Sequence, residues 1–218
     1  MEDSVEIGIV RGRQVALPAH FHEEDQLVLV LCGRRRLIIG SDIFSAEAGE
    51  TLFIPAGVIH SSLAEEQDLL CVNAYLPVGC DALASLRQSL TMAWQAGKLG
   101  SREDVLAMLQ GYRMPLDAPV TARRDLGRLR ILPNASVAEA ASAHGLSREH
   151  YSRQFRLLHG VPPQVYRLLQ RLNLARDRLR VGGSIAEVAL DTGFTDQSHL
   201  SRAFKRAFGV SPGRYLLP

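Results

Sequence analysis

The chain has 218 residues, 46% apolar and 22% charged, the profile of an ordinary globular protein with room for one large core or two modest ones. No apolar run approaches the ~18 residues of a bilayer span, and the acidic opening MEDSVEIG is unlike a basic secretory leader, so neither a membrane partner nor export is expected. Cys32, Cys71 and Cys80 lack metal-finger spacing and are odd in number, which speaks against a closed disulfide set and for a reduced, cytoplasmic setting.

Up to about Leu76 the pattern is β-like: QLVLVL, RRLIIG and TLFIPAG are short apolar runs broken by Gly, Pro or charge. Arg34-Arg35-Arg36 follows Gly33 and reads as a solvated hairpin turn, ahead of a contact with an anionic effector or with the second half of the chain. Residues 81–96 then read as a helix, with Leu83, Leu86, Leu90 and Trp94 on one face, Asp81 as cap and Gly97 as stop. That apolar face suits either dimerisation or covering of the β-structure. A second short helix is expected over residues 102–112, and the prolines Pro115 and Pro119 mark a boundary. Beyond it everything reads as helix and turn.

The net charge of +2 hides a division at this boundary. Arg123 to Pro218 holds 16 Lys+Arg against 7 Asp+Glu, a net of +9, while residues 1–122 hold 9 against 16, a net of −7. Fifteen of those 16 basic residues are Arg, the side chain suited to forked contacts with phosphates and guanine edges. A solvated Arg-rich face would look the same by composition alone, so the motifs must decide.

They take the form of a diverged duplication. SVAEAASAHGLSREHYSRQF begins at Ser136, and SIAEVALDTGFTDQSHLSRAF repeats it from Ser184 with one extra residue in the turn. Ser136 with Glu139, and Ser184 with Glu187, are capping boxes. Ala138 and Ala141, like Ala186 and Ala189, are expected where the next helix approaches closely. Gly145 and Gly193 fit the left-handed residue that ends a helix. Ser147, and Thr195 or Asp196, can cap the helix that follows. Tyr151 with Phe155, and Leu200 with Phe204, are i/i+4 pairs for an inner face. Helix, tight turn and polar-faced helix describe a helix-turn-helix. A single helix from Pro163 to Arg180 joins the copies; at 1.5 Å per residue it gives about 27 Å, near the ~34 Å repeat of B-DNA. One chain could then address two successive major grooves.

The segment from Val120 to Tyr215, above all GFTDQSHLSRAFKRAFGVSPGRY, resembles the AraC family of transcription activators. The resemblance implies a seven-helix, two-unit domain binding double-stranded DNA, with RNA polymerase as a partner and a variable sensing domain attached. Carried onto matching positions, the first reading helix spans about 148–158, with Arg148, Glu149, Ser152 and Arg153 towards bases. The second spans about 196–208, with Gln197, Ser198, Ser201 and Arg202 towards bases. Arg156, Lys205 and Arg206 suit phosphates, and His150 and His199 are further contacts or merely solvated. Glu149 departs from the bulky or basic residues common nearby.

In the first half, His20-x-His22, then Gln26 and Gly33, are followed by Gly49-x5-Pro55-x-Gly57-x2-His60. These segments resemble the paired motifs of the cupin β-barrel, with Gln26 in place of the usual Glu and Ala64 where Asn is expected. The resemblance implies that His20, His22 and His60, with Gln26 or water, hold a divalent metal such as Zn, Ni, Cu or Fe, or that they line a pocket for a small organic effector. A metal-dependent cupin enzyme is disfavoured by Gln26 and by the unexplained repeat. The expectation is a two-domain α+β chain without enzymatic activity. Residues 1–80 would form a cupin-like sensing barrel, and 81–116 a helical linker suited to homodimerisation. Residues 117–218 would form an all-α domain with helix-turn-helix units at 136–158 and 184–208.

Overall fold

The computed structural model describes residues 6–77, 83–110 and 129–215. The chain divides into two compact units, residues 1–16 with 21–123 and residues 17–20 with 124–218. The expected boundary at 116/117, the Asp81 cap and Cys80 lie outside the described residues.

Among the described residues, seven strands build the first unit. β1 (Glu6–Gly12), β7 (Leu69–Leu76), β2 (Asp25–Cys32) and β5 (Thr51–Ile54) form one antiparallel sheet in that order; β4 (Asp42–Glu47), β3 (Arg34–Ile39) and β6 (His60–Ser62) form the other. Beyond Asp25 and Gln26, β2 is apolar because both its faces are covered. Leu27, Leu29 and Leu31 join Val72, Ala74 and Leu76 of β7 under the helices, whereas Val28 and Val30 join Leu37, Ala46, Ile54, Leu69 and Cys71 in a second core. The period of two therefore sorts one strand into an outer and an inner layer. At Gly33, between β2 and β3, φ is +75° and an added Cβ would collide with the Asp68 carbonyl oxygen, so only glycine fits that turn.

α1 (Leu83–Gln95) and α2 (Arg102–Gln110) follow. Leu86 and Leu90 are buried in the outer layer with Leu83 and Trp94 packed beside them, so the apolar face of α1 covers the sheet. That leaves Ala84, Arg87, Gln88, Thr91 and Met92 on a different face, where Met92 is exposed.

The arginine triplet departs from the expected solvated turn. It opens β3, whose alternation sends Arg35 to the buried side with Leu37, while Arg34 and Arg36 both pair with the buried carboxylate of Glu65. Burial pushes the Glu65 carboxyl up, but the two guanidinium partners outweigh it and hold it below its ordinary value.

In the second unit the described helices are α3 (Val137–Ala143), α4 (Arg148–His159), α5 (Pro163–Arg180), α6 (Ile185–Asp191), α7 (Gln197–Phe208) and α8 (Pro212–Tyr215). Ser136 and Glu139 make both halves of a capping box; in the second copy the Ser184 hydroxyl accepts from the Glu187 amide and donates to its carboxylate. Gly145 and Gly193 take φ of 66° and 78°, the left-handed region a side chain resists. Ala141 and Ala189 are buried as expected, but Ala138 and Ala186 are exposed. The close-packed neighbours one or two positions away are Ala140 in the first copy and Val188 in the second. Among the described residues no helix is long and apolar enough to cross a membrane.

Candidate DNA interface and effector site

Each reading helix is set by a cap at either end and an aromatic anchor on its inner face. Ser147 caps α4 by accepting from the His150 amide, and Asp196 caps α7 by accepting from the His199 amide at 2.7 Å. Gly160 and Gly209 end them in the left-handed conformation. Tyr151, Phe155, Leu200 and Phe204 are fully buried, which fixes the opposite faces outward.

On α4 that outward face carries Arg148, Glu149, Arg153 and Arg156, all exposed, with Ser152 half-buried. On α7 it carries Gln197, Ser198, Arg202, Lys205 and Arg206, exposed, with Ser201 and His199 half-buried. His199 is less solvated than a surface histidine, because its Nδ1 lies 3.1 Å from the Thr195 hydroxyl and its ring meets Phe194 edge-on. Glu149 stands 3.7 Å from the Arg148 guanidinium, so the first face partly neutralises itself.

Residues that sequence reasoning passed over hold these helices in place. Arg171 of α5 donates to the carbonyls of Thr192 (2.8 Å) and Gly193, and its guanidinium lies 4.3 Å over the Phe194 ring. It thereby clamps the second turn. Arg167, one helical turn earlier, donates to the Pro133 carbonyl ahead of the first unit. The Tyr151 hydroxyl and the His159 Nε2 donate to the carbonyls of Arg130 and Leu129, tying the entering chain to α4. No periodicity or motif marks such bonds, since each joins a side chain to a backbone atom distant in sequence.

The barrel residues converge. His22 and His60 are buried with ring centroids 5.3 Å apart, while His20, also buried, belongs to the segment 17–20 that groups with the second unit. His20 Nδ1 faces the Pro18 carbonyl at 2.7 Å, and His60 Nδ1 faces that of Val58 at 3.0 Å. A carbonyl oxygen only accepts, so each Nδ1 carries a proton. Burial, with Arg35 as a smaller contributor, pushes the His60 pKa down to about 4, so its imidazole is neutral at pH 7. Gln26 is buried beside them in β2, and its Oε1 has no hydrogen-bond partner. A neutral His60 oriented by a backbone carbonyl, beside His22 and a spare amide oxygen, fits a borderline divalent metal.

Residues 133–217 match the model of a helix-turn-helix domain and residues 9–72 that of a cupin domain. The transcriptional activator RhaS of Salmonella arizonae is 25% identical over 91% of this chain and 87% of its own length. RhaS of Salmonella schwarzengrund is 26% identical with the same coverage. Among solved structures, ToxT from Vibrio cholerae with an unsaturated fatty acid bound superposes with a TM-score of 0.54 at 15% identity, covering 99% of this chain and 95% of that one. This last likeness speaks to the fold alone. The chain belongs to the AraC-type helix-turn-helix transcription regulators, with a cupin domain preceding its DNA-binding half.

Proposed function

We propose that this regulator reads a bipartite double-stranded DNA site of roughly two helical turns, and that a ligand taken up in the cupin barrel sets its activity. The observation that carries the first part is the pair of capped reading helices, joined through the 18-residue α5, whose inner faces are buried and whose polar faces are exposed. Arg202 and Gln197 would fork onto guanine and adenine, while Arg156, Lys205 and Arg206 hold phosphates. On this reading the chain works in the cytoplasm with RNA polymerase as its downstream partner, and it is not an enzyme. Homodimerisation would use the outer face of α1, because Leu86 and Leu90 are occupied by the sheet.

The ligand is a small organic molecule, a divalent metal on His20, His22 and His60 with Gln26, or both. Selection of bound sequences from a random duplex pool, using the full chain, tests the first part. Enrichment of two half-sites about one turn apart is expected, and a pool left unenriched would refute it. Elemental analysis of purified protein tests the metal. About one equivalent in the wild type, lost in His60→Ala, is expected; no metal after reconstitution would leave the organic effector alone.

A further inference from the structure

Arg35 is 4% exposed, on the inner side of β3 beside Leu37. Arginine presents five N–H donors. Here the described hydrogen bond is a long one, 3.4 Å from Nη1 to the Val15 carbonyl, and no carboxylate among the described residues forms an ion pair with it. Glu65, the acid that could have done so, is taken by Arg34 and Arg36. The groups that act on Arg35 electrostatically are Cys71 and Tyr75 first, then Glu65. Burial pushes the Cys71 thiol up to about 11, so it offers no charge at pH 7. A guanidinium withdrawn from water without an anion is among the least favourable arrangements a core can hold. Leu37, on the same side of β3, belongs to the apolar inner core with Val28, Val30 and Ile54.

We infer that Arg35 is the counter-charge for an anionic effector, and that the ligand is a small organic monocarboxylate whose apolar body lies against the inner core. A carboxylate matches the guanidinium fork with two parallel bonds, and one buried positive group balances one negative charge. The inference rests on the proposal that the barrel is the sensing site.

The test uses the full chain in chelator, so that a metal cannot bind the acid. Melting temperatures are compared for wild type, Arg35→Met and Arg35→Gln with hexanoate or benzoate and with the corresponding primary amides, at constant ionic strength. At tenfold its Kd an acid should raise the wild-type Tm by roughly 3 °C. The amides should not, and both variants should lose the response. Without ligand, Arg35→Met should melt no lower than wild type, since it removes a buried charge that no carboxylate balances. Acid and amide acting alike, neither acid acting on wild type, a response surviving in both variants, or both variants melting well below wild type would each overturn the assignment. DNA affinity measured in parallel separates the two claims. An Arg35-dependent acid shift without change in DNA affinity leaves the anion site standing and removes its sensing role. Amides that shift both Tm and DNA affinity do the reverse.

Discussion

The two helix-turn-helix units share a scaffold and differ in what they display. α4 and α7 are each 12 residues long, capped by an oxygen three residues ahead of the amide it accepts from and stopped by a left-handed glycine. Their outer faces diverge: α4 mixes Glu149 among three arginines, while α7 carries Gln197, Ser198, Arg202, Lys205 and Arg206 with no acid inside the helix. The two copies share the residues that make the fold and differ in those they expose. On the proposed function, the second copy would be the stronger reader and the first would contribute affinity and register.

The largest effects test the shared part. Phe155 and Phe204 are fully buried; Phe155 stacks on His159 at 4.0 Å, and Phe204 meets Phe208 and Tyr215 edge-on. Phe155→Ala and Phe204→Ala should each destabilise the second unit by about 3–5 kcal/mol in denaturant melts. A loss under 1 kcal/mol in one copy would mean that its inner face is not equivalent to the other's.

Next comes the clamp on the turn of the second copy. Arg171→Ala removes hydrogen bonds to Thr192 and Gly193 carbonyls and the stacking on Phe194, and should cost about 1–3 kcal/mol of stability. Because Thr192 is buried, its carbonyl is not readily resolvated. Contacts protected by α7 in footprinting should weaken while those of α4 persist. Equal weakening of both would make Arg171 a general support and not a positioner of the second unit.

The shared scaffold was legible in the sequence because its signals are local. Caps, turn glycines and i/i+4 aromatic pairs all lie within a few residues of what they control, and the structure keeps nearly all of them. Ala138 and Ala186 were the exceptions, since small size does not distinguish a crowded face from an exposed one. Arg35 was harder. Which members of an arginine triplet turn inward depends on strand register, here the pairing of Leu37 with Ser62, set by residues far along the chain. The alternation Arg35, Leu37, Ile39 carried the signal, but the charge of three successive arginines read more naturally as solvent exposure. Gln26, His22 and His60 were recognisable by motif spacing, whereas the carbonyls that orient His20 and His60 were not.

Arg202 and Lys205 separate base reading from phosphate anchoring within one helix. Arg202→Ala should weaken the selected site by about 1–3 kcal/mol and relax base preference at one position. Lys205→Ala should weaken all duplexes alike and reduce the salt slope by about one. A binding selection with each variant, repeated at two salt concentrations, distinguishes them; an unchanged preference in Arg202→Ala would remove that residue from the reading set.

The smallest effect bears most directly on the ranking of the two units. Glu149 and Arg148 are both strongly exposed, so their 3.7 Å pair contributes little to stability. On the proposed function, Glu149 places a negative charge on a face that would meet phosphates. At about 6 Å in water, one such repulsion is worth ~0.7 kcal/mol before screening. Glu149→Gln should therefore raise affinity up to threefold at low salt, equally for specific and random duplexes, with the gain shrinking as salt rises. The opposite outcome is just as informative, because a carboxylate accepts a hydrogen bond from the cytosine amino group. A loss confined to sites bearing cytosine at one position would make Glu149 a base-reading residue, and α4 would then specify sequence alongside α7.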